Sequence, residues 1–344
     1  MKLRKYAITL LSGIVLTQAS LGTAISYAQD NIIIGGNLEL TGNAAAYGSP
    51  AADSMNLFIE QINEAGGILD GQMLEAQIID NQSDLTESAS IATRLADSEA
   101  IGIIGPTATG VSKAAIPITN EAGVPNIFAA TTGDGLTLAD DGSLLEYIFR
   151  VCFEDSYQGL AAGNYTAQEL GFTKAIIITD QALDYSLALA DSFTETFKEN
   201  DGEIIETQSY QSGDTDFTAL LTSLIGKDFD ILYIPGYYTE TGLIIKQARE
   251  MGITQPIMGG DGYHSDILVE LAGVSNANDI YFTTHFSEKS DDPKVQEFLT
   301  AYEEKYGRSA DTFSALGYDA IALLVDAIER AGSTEREAIR QALE

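Results

Sequence analysis

Short apolar runs rich in β-branched residues alternate with longer stretches of helical periodicity along most of the chain. Apolar runs of this length predict buried strands, and their alternation with helices predicts βα units with mostly parallel sheets. The predicted strands form two groups of similar number and spacing. They cover residues 31–35, 74–80, 100–105 and 124–129 in the first group, and 174–180, 203–210, 230–235 and 255–259 in the second.

Helical periodicity is clear after the first strand, where Met55 and Ile59 lie on one apolar face at helical spacing. Ser49 is expected to cap this helix. Pro50 is expected in its first turn, where a missing N–H and a fixed φ are tolerated. The pattern therefore predicts a helix over residues 50–65.

The two strand groups predict two α/β lobes, since an extended segment at 147–153 separates them and a last strand at 279–286 is followed only by helices. Helices without a sheet of their own are expected to return to the first lobe. We therefore predict two doubly wound parallel-sheet lobes joined by a hinge. The N-terminal lobe is discontinuous, with residues 29–149 plus 283–344, and the C-terminal lobe has residues 150–282.

The N-terminus has the pattern of a signal peptide over residues 1–28. Three of the first five residues are basic, an apolar stretch covers 7–16, and small residues lead to Ala28. A membrane span would need roughly 20 apolar residues. The only cysteine is Cys152, so a lipid anchor has no acceptor near the cleavage site. The mature protein is expected in the periplasm or outside the cell.

The chain is strongly acidic, with a formal net charge of -33. Loss of the predicted leader would make it -36, because three basic residues and no acidic residue would be removed. Such a surface repels polyanions, so nucleic acid and acidic lipid are unfavourable partners. A single cysteine excludes a disulfide within the chain. We expect a monomer that meets the membrane only through a partner protein.

The loops after the predicted strands differ between the two groups. In open parallel sheets, ligands bind beyond the carboxyl ends of the strands. Those loops contain small hydroxyl residues such as Thr109 and Thr132 in the first group, and tyrosines with Asp261 in the second. Hydroxyls and backbone amides suit a carboxylate, an acid suits an ammonium, and aromatic rings form walls. The pattern favours a zwitterionic ligand between the lobes.

Other kinds of site have little support. The frame from Gly105 to Gly110 lacks the lysine of a phosphate loop. His264 and His285 form no metal-spaced pair and are expected at the surface. Cys152 has no nucleophile signature and is expected to be a buried structural thiol, and no G-x-S-x-G elbow occurs. We therefore predict no catalytic residue, no metal site, no cofactor and no enzymatic activity.

Seven motifs follow one another in order: Leu40-Thr41-Gly42 with Tyr47-Gly48, Ile62-Asn63-Glu64-Ala65-Gly66-Gly67, Asp80-Asn81-Gln82-Ser83-Asp84, Ile104-Gly105-Pro106, Asp214-Thr215-Asp216-Phe217, Gln247-Ala248-Arg249-Glu250-Met251-Gly252 and Gly317-Tyr318-Asp319-Ala320. This series closely resembles the leucine/isoleucine/valine-binding protein family, the amino-acid receptors of ABC transporters with the type I periplasmic-binding fold. The likeness extends from about Ile32 to Leu343.

The resemblance implies a ligand site of eight residues: Tyr47, Thr109, Gly110, Ala130, Thr132, Tyr185, Tyr237 and Asp261. The resemblance places the family's carboxylate-binding hydroxyl at Thr109, beside the Gly110 backbone, and its acid that pairs with the ammonium at Asp261. It also implies that the loop at Ala130 and Thr132 supplies a backbone contact and a threonine hydroxyl. The three tyrosines line or cap the ligand. Two departures bear on this expectation. The run before Thr132 lacks the proline that the family often has, and Asp261 is one methylene shorter than the glutamate of some members.

Two residues also have simpler interpretations. Thr109 is suited to capping the helix that begins near Gly110, and Asp261 lies between glycines, where aspartate often forms a turn. Ligand contact and these local roles therefore remain alternatives for both residues.

The resemblance implies an extracytoplasmic receptor of an ABC transporter. It would bind an amino acid, first of all a branched-chain one, by closure of the hinge, and would deliver it to the permease. Three alternatives stay open: a sensing subunit of a signalling receptor, a binder of amide or urea-type solutes, and an exported hydrolase on a similar scaffold, for which no nucleophile is evident.

Overall fold

The computed structural model describes residues 31–139 and 141–344, so the predicted signal peptide at 1–28 lies outside the described residues. The strands are β1 (Ile32–Leu38), β2 (Leu74–Asp80), β3 (Ile103–Ile104), β4 (Asn126–Phe128), β5 (Ile148–Arg150), β6 (Lys174–Asp180), β7 (Glu203–Tyr210), β8 (Ile231–Tyr233), β9 (Ile257–Gly259) and β10 (Ile280–Phe282).

The helices are α1 (Ala45–Glu64), α2 (Leu85–Ala96), α3 (Thr109–Glu121), α4 (Asp155–Asn164), α5 (Asp184–Glu199), α6 (Thr218–Thr222), α7 (Tyr238–Glu250), α8 (Asp266–Ala272), α9 (Pro293–Tyr306), α10 (Thr312–Ala331) and α11 (Arg336–Leu343). A π-helical turn, Tyr165–Glu169, extends α4, and a 3-10 turn, Asp261–Tyr263, follows β9.

The strands form two five-stranded sheets, ordered β2-β1-β3-β4-β5 and β10-β9-β8-β6-β7. Every strand pairing is parallel, and β1 runs in register with β2 from Ile32 opposite Leu74 to Leu38 opposite Asp80. In each sheet the first strand lies between the second and the third, so the strand order reverses at β1/β3 and at β6/β8. The prediction of two doubly wound parallel-sheet lobes is confirmed.

The central strands are apolar on both faces because helices cover both sides of each sheet. Ile177 and Ile178 are adjacent in β6 and point to opposite faces of the sheet, yet both are fully buried. Pairs of helices pack over the sheets, α1 with α10 and α2 with α3 in one lobe, α4 with α5 and α7 with α8 in the other. Near-continuous apolar runs therefore identified these strands in the sequence.

The first helix begins earlier than predicted, at Ala45, and Pro50 lies inside it. Ser49 is not its cap, since its hydroxyl bonds the Leu40 carbonyl at 3.4 Å. A Cβ at Gly48 would lie 2.3 Å from the carbonyl oxygen of Glu39. Because Gly48 has no side chain, the first turn of the helix can pack directly on the residue that follows β1. This tertiary contact cannot be predicted from the local preferences of helix caps.

The last helices pack on the first sheet. Helix α10 packs against α1, β3 and β4. In α11, the Arg336 guanidinium donates to the carbonyls of Ala96, Ser98 and Ala100, at the end of α2 and in the loop that follows it. The lobe boundaries at 29–149 plus 283–344 and at 150–282 stay a prediction. Across the described ranges, no helix meets the length and hydropathy that a bilayer span requires.

The chain passes between the two sheets after β5 and again after β10. The crossings touch, since the Phe153 ring stacks on the His285 imidazole with centroids 3.5 Å apart and planes 17° apart. These two segments are therefore mechanically linked.

Candidate functional site

A cavity lies where the carboxyl ends of both sheets face each other. Its lining residues are Tyr47, Thr107, Thr109, Ala130, Thr132, Tyr185, Tyr237, Asp261, Gly262 and Phe313. Seven of the eight predicted site residues are brought together here. The exception is Gly110, which lies in a neighbouring depression with Lys113 and Asp184. The enclosed space is about 10 Å³, roughly the room of one water, so the walls of the cleft are nearly in contact.

The first-lobe wall presents the start of α3. Its first helical hydrogen bond runs from Ser112 N to Ala108 O at 2.9 Å, so the amides of residues 109–111 have no acceptor within the helix. The Thr109 hydroxyl does not cap the helix; it accepts from Gly133 N at 3.2 Å. Free amides and hydroxyls at a helix N-terminus suit a carboxylate.

Glu39, which the sequence did not mark as a site residue, organises this wall. It is fully buried directly after β1 and accepts hydrogen bonds from Thr107 N at 3.0 Å, Thr107 Oγ1 at 2.7 Å and Ala108 N at 3.1 Å. Burial raises the pKa of the Glu39 carboxyl, against the effect of these donors. The side chain fixes the loop that leads into Thr109.

The second-lobe wall is centred on Asp261, which is 3% exposed. Its carboxylate accepts hydrogen bonds from Tyr185 Oη at 2.8 Å and Gln158 Nε2 at 2.9 Å, and contacts His285 Nε2 at 3.1 Å. Burial alone would raise the pKa of the Asp261 carboxyl, but its bonds and charge interaction with His285, together with Tyr185 and Gln158, lower that pKa below its ordinary value. These partners therefore favour the carboxylate form of Asp261 in spite of its burial.

Gln158 connects this acid to both crossings. It lies in α4, shortly after the first crossing, and its Oε1 accepts from Asp261 N at 3.1 Å and from Thr283 Oγ1 at 2.5 Å. Thr283 directly follows β10, at the start of the second crossing. The geometry of the acid thus depends on the two segments that join the lobes.

The expectation that both histidines lie at the surface was wrong. The His285 side chain is 5% exposed and packs between Asp261 and Phe153. His264 is half-buried and contacts Thr284 Oγ1 at 3.0 Å. Every one of these partners is 20 or more residues away in sequence, so no local spacing pattern could have identified the contacts.

Three tyrosines close the cavity. Tyr47 Oη donates to Gly262 O at 2.9 Å and accepts from Tyr238 N at 3.1 Å, so a first-lobe side chain binds the second-lobe backbone. Its ring meets the ring of Tyr237 edge-on at 5.2 Å. Burial raises the pKa of the Tyr47, Tyr185 and Tyr237 phenols well above the ordinary value. They therefore act as neutral hydrogen-bonding groups.

The environment of Cys152 does not activate its thiol. Burial raises the pKa of the Cys152 thiol, which donates to Thr131 O at 3.2 Å. A protonated, bonded thiol is a poor nucleophile. Within residues 31–139 and 141–344, no cluster of three or more His, Cys, Asp or Glu side chains is arranged for a metal ion.

Comparison with known proteins places this fold and cleft in a family. The family model described as "Periplasmic binding protein" matches residues 31–344. The "Leu/Ile/Val-binding protein homolog 3" of Brucella melitensis biotype 1 is 29% identical over 329 residues, which are 96% of this chain and 86% of that protein.

Two solved structures are also similar. The branched-chain amino acid transporter substrate binding protein LivJ from Streptococcus pneumoniae, in complex with isoleucine, is 40% identical with a TM-score of 0.86 and covers 91% of this chain and 87% of that chain. The leucine binding protein LivK from Thermotoga maritima is 35% identical with a TM-score of 0.83 and the same coverage. With a match over nearly the whole described chain, this protein belongs to the periplasmic binding protein family.

Proposed function

We propose that this protein is the extracytoplasmic receptor of an ABC transporter and binds a branched-chain amino acid between its two lobes. One observation carries the proposal: hydroxyls and free amides at the start of α3 and the buried Asp261 carboxylate line a single small cleft. The two walls match the two charges of an α-amino acid. The site residues proposed are Tyr47, Thr109, Ala130, Thr132, Tyr185, Tyr237 and Asp261, with Gly110 through its backbone amide.

The carboxylate end belongs on the first-lobe wall. The Thr109 and Thr132 hydroxyls and the amides at the start of α3 can donate hydrogen bonds to a carboxylate. The ammonium end belongs near Asp261 on the second-lobe wall. Hydrogen bonds to charged groups are stronger than neutral ones, and an ammonium buried without a partner would be costly. Binding both charges together selects zwitterions over simple acids or amines.

The rest of the cleft favours an aliphatic side chain. Ala130, Phe313 and the rings of Tyr47 and Tyr237 are apolar walls, and Asp261 is the one charged residue in the lining. Each methylene buried against such walls contributes about 0.8 kcal/mol. The relatives named for leucine, isoleucine and valine support the same class of ligand.

Delivery follows from the division of contacts between the lobes. A ligand held by one wall in an open cleft has half of its partners, so ligand shifts the population toward the closed form. The permease then recognises the closed protein outside the cytoplasmic membrane. The solute leaves chemically unchanged, and no cofactor takes part.

Calorimetry and thermal shift on the purified protein without residues 1–28 test the proposal. L-leucine, L-isoleucine and L-valine should raise the melting temperature, because ligand at 100 times its Kd stabilises by about 2.7 kcal/mol. The matched controls 4-methylpentanoate and 3-methylbutylamine each lack one charge of leucine and should give a much smaller shift. Absence of a shift with every α-amino acid would contradict the proposal.

A further inference from the structure

An ion pair joins the two lobes outside the ligand cavity. The Lys113 ammonium lies 2.5 Å from a carboxylate oxygen of Asp184. Lys113 belongs to α3, which packs beside the first sheet, and Asp184 is the first residue of α5, which packs beside the second. Among the ion pairs of the described residues, this one alone links helices of different lobes. The others lie within one lobe or involve the crossings.

The pair lines a depression of about 440 Å³ beside the ligand cavity. Tyr185 and Tyr237 belong to the lining of both spaces, so their rings form the partition between them. Lys113 and Asp184 do not belong to the described lining of the ligand cavity. An effect of this pair on a bound solute therefore has to act through the distance between the lobes.

Each member of the pair is close in sequence to a proposed site residue. Lys113 lies four residues after Thr109, on the same face of α3. Asp184 directly precedes Tyr185, whose hydroxyl donates to Asp261 at 2.8 Å. The movement that brings the two walls onto a ligand therefore also brings Lys113 to Asp184.

Opening of the cleft has to break this ion pair. The lobes are connected through the two crossings, where Phe153 stacks on His285. Neither crossing contributes to the described lining of the depression. Since α3 and α5 meet away from the crossings, a swing of the lobes about them separates the two helices. The ion pair is therefore a feature of the closed form.

The charge of the chain gives this contact its weight. Acidic residues outnumber basic ones in both predicted lobes, so closure brings two negatively charged bodies together. Lys113 supplies a positive charge where they meet. The side chains of Lys113 and Asp184 are 48% and 58% exposed, so solvent screens the pair and its free energy is small. The whole of that free energy nevertheless acts on the balance between closed and open forms, because the open form lacks the pair.

We propose that Lys113 and Asp184 form a latch that holds the cleft closed and slows the release of the ligand. The latch rests on the proposed function and deepens it, since it gives two residues outside the ligand cavity control over how long the solute stays bound. Ligand enters while Lys113 and Asp184 are apart, so association does not need the pair. Release needs opening, and opening breaks it.

Stopped-flow tyrosine fluorescence of the purified protein measures both rates for L-leucine. Lys113→Met and Asp184→Asn should each raise the dissociation rate about two- to fivefold, the range expected for an exposed ion pair. The association rate should stay the same, because a zwitterion without net charge is not steered by one lysine. The factor should be equal for leucine, isoleucine and valine, since the latch does not touch the solute.

Two comparisons separate the latch from a general effect of charge. The difference in dissociation rate between the wild type and Lys113→Met should shrink as NaCl rises from about 0.05 to about 1 M, because salt screens exposed pairs. Lys174→Met is the matched control. It removes an ion pair with Asp228 that lies within the second lobe, and it should keep both wild-type rates.

Charge reversal completes the test. Lys113→Glu should release leucine faster than Lys113→Met, because two carboxylates then face each other. Adding Asp184→Lys should restore the dissociation rate to within about twofold of the wild type. Wild-type dissociation rates in Lys113→Met and Asp184→Asn would overturn the latch, and so would a reversed pair that fails to restore the rate. A wild type that binds none of leucine, isoleucine and valine would instead refute the proposed function.

Discussion

The imidazole of His285 lies against the carboxylate of Asp261, with Nε2 3.1 Å from Oδ2. His285 comes from the second crossing between the lobes, and its ring stacks on Phe153 from the first. The proposed ligand-binding acid, Asp261, is therefore held by a residue of the segments that join the lobes. A change in the angle between the lobes would therefore move the Asp261 carboxylate, which gives the cleft its negative electrostatic potential.

Removing the imidazole tests this connection. His285→Ala should weaken leucine binding by about 1 to 3 kcal/mol, the usual penalty when a buried polar group loses its partner. Because the bond and charge of His285 help to lower the pKa of Asp261, the variant should also lose stability at a higher pH than the wild type on acidification. His264→Ala, which removes the half-buried histidine near Thr284, is the control for both measurements. Calorimetry and denaturation at several pH values give the two quantities.

The sign of that shift follows from linkage. A carboxyl whose folded pKa is lowered stabilises the fold above its unfolded pKa, and the contribution is lost as pH falls through the folded pKa. In the wild type the Asp261 contribution is therefore complete above about pH 4. A His285→Ala profile identical to that of the wild type would contradict a role of His285 in holding the Asp261 charge.

Asp155, the first residue of α4, should behave in the opposite sense, because its carboxylate is fully buried and its oxygens accept no hydrogen bond from the described residues. An acid whose folded pKa is raised destabilises the fold as pH rises above the unfolded pKa, about 4, because only the unfolded chain ionises freely. Without ligand, Asp155→Asn should therefore gain about 1 to 3 kcal/mol over the wild type near pH 7. The gain should disappear near pH 3. Urea denaturation of both proteins at the two pH values checks the difference, and a gain independent of pH would argue for a packing effect instead.

The sequence predicted nine of the ten strands, and the predicted extended segment at 147–153 contains β5, because most of these runs are apolar and buried. Seven of the eight predicted site residues line one cleft, since loops after parallel strands meet at the same sheet edge. Glu39, Gln158 and His285 were missed. Their partners are supplied by other elements through the topology of the crossings, so neither periodicity nor spacing marks them.

The predicted start of α1 was wrong because contacts with residues distant in sequence determine where this helix begins. Ser49 and Pro50 have the local chemistry of a helix start, but Gly48 packs on Glu39 and the Ala44 amide donates to Ser83 Oγ at 3.1 Å. These long-range contacts extend the helix back to Ala45. As a result Tyr47 lies in a helical turn, which fixes the side chain that reaches the other lobe.

Two glycine-to-alanine variants compare a position where an added Cβ would clash with one where it would meet no atom. A Cβ at Gly260 would lie 2.3 Å from Tyr185 Oη, so Gly260→Ala should displace Tyr185 from Asp261 and weaken leucine binding by at least about tenfold. Gly110→Ala adds a Cβ with no atom within 4 Å and keeps the backbone amide. Its leucine affinity should stay within about twofold. A large loss in Gly110→Ala would show that the ligand approaches this residue more closely than its place outside the cavity lining indicates.

Closure of the cleft is tested through Tyr47, the side chain that joins the two walls. Tyr47→Phe removes the bond to Gly262 O and the acceptor of Tyr238 N, and should weaken the closed form by about 1 to 3 kcal/mol. Tyr233→Phe is the matched control, because that buried hydroxyl has no hydrogen-bond partner among the described residues. Small-angle scattering should show a smaller radius of gyration for the wild type and Tyr233→Phe at saturating leucine.

Tyr47→Phe should need more leucine to reach the same compact form, since its open state is favoured and part of the binding free energy is used to close it. Thr283→Val, which breaks the bond to Gln158 at the second crossing without touching the ligand, should shift the same titration. A wild-type radius of gyration that does not change between zero and saturating leucine would contradict closure. The protein would then be a rigid binder, and a permease would have no change of shape by which to distinguish its loaded form.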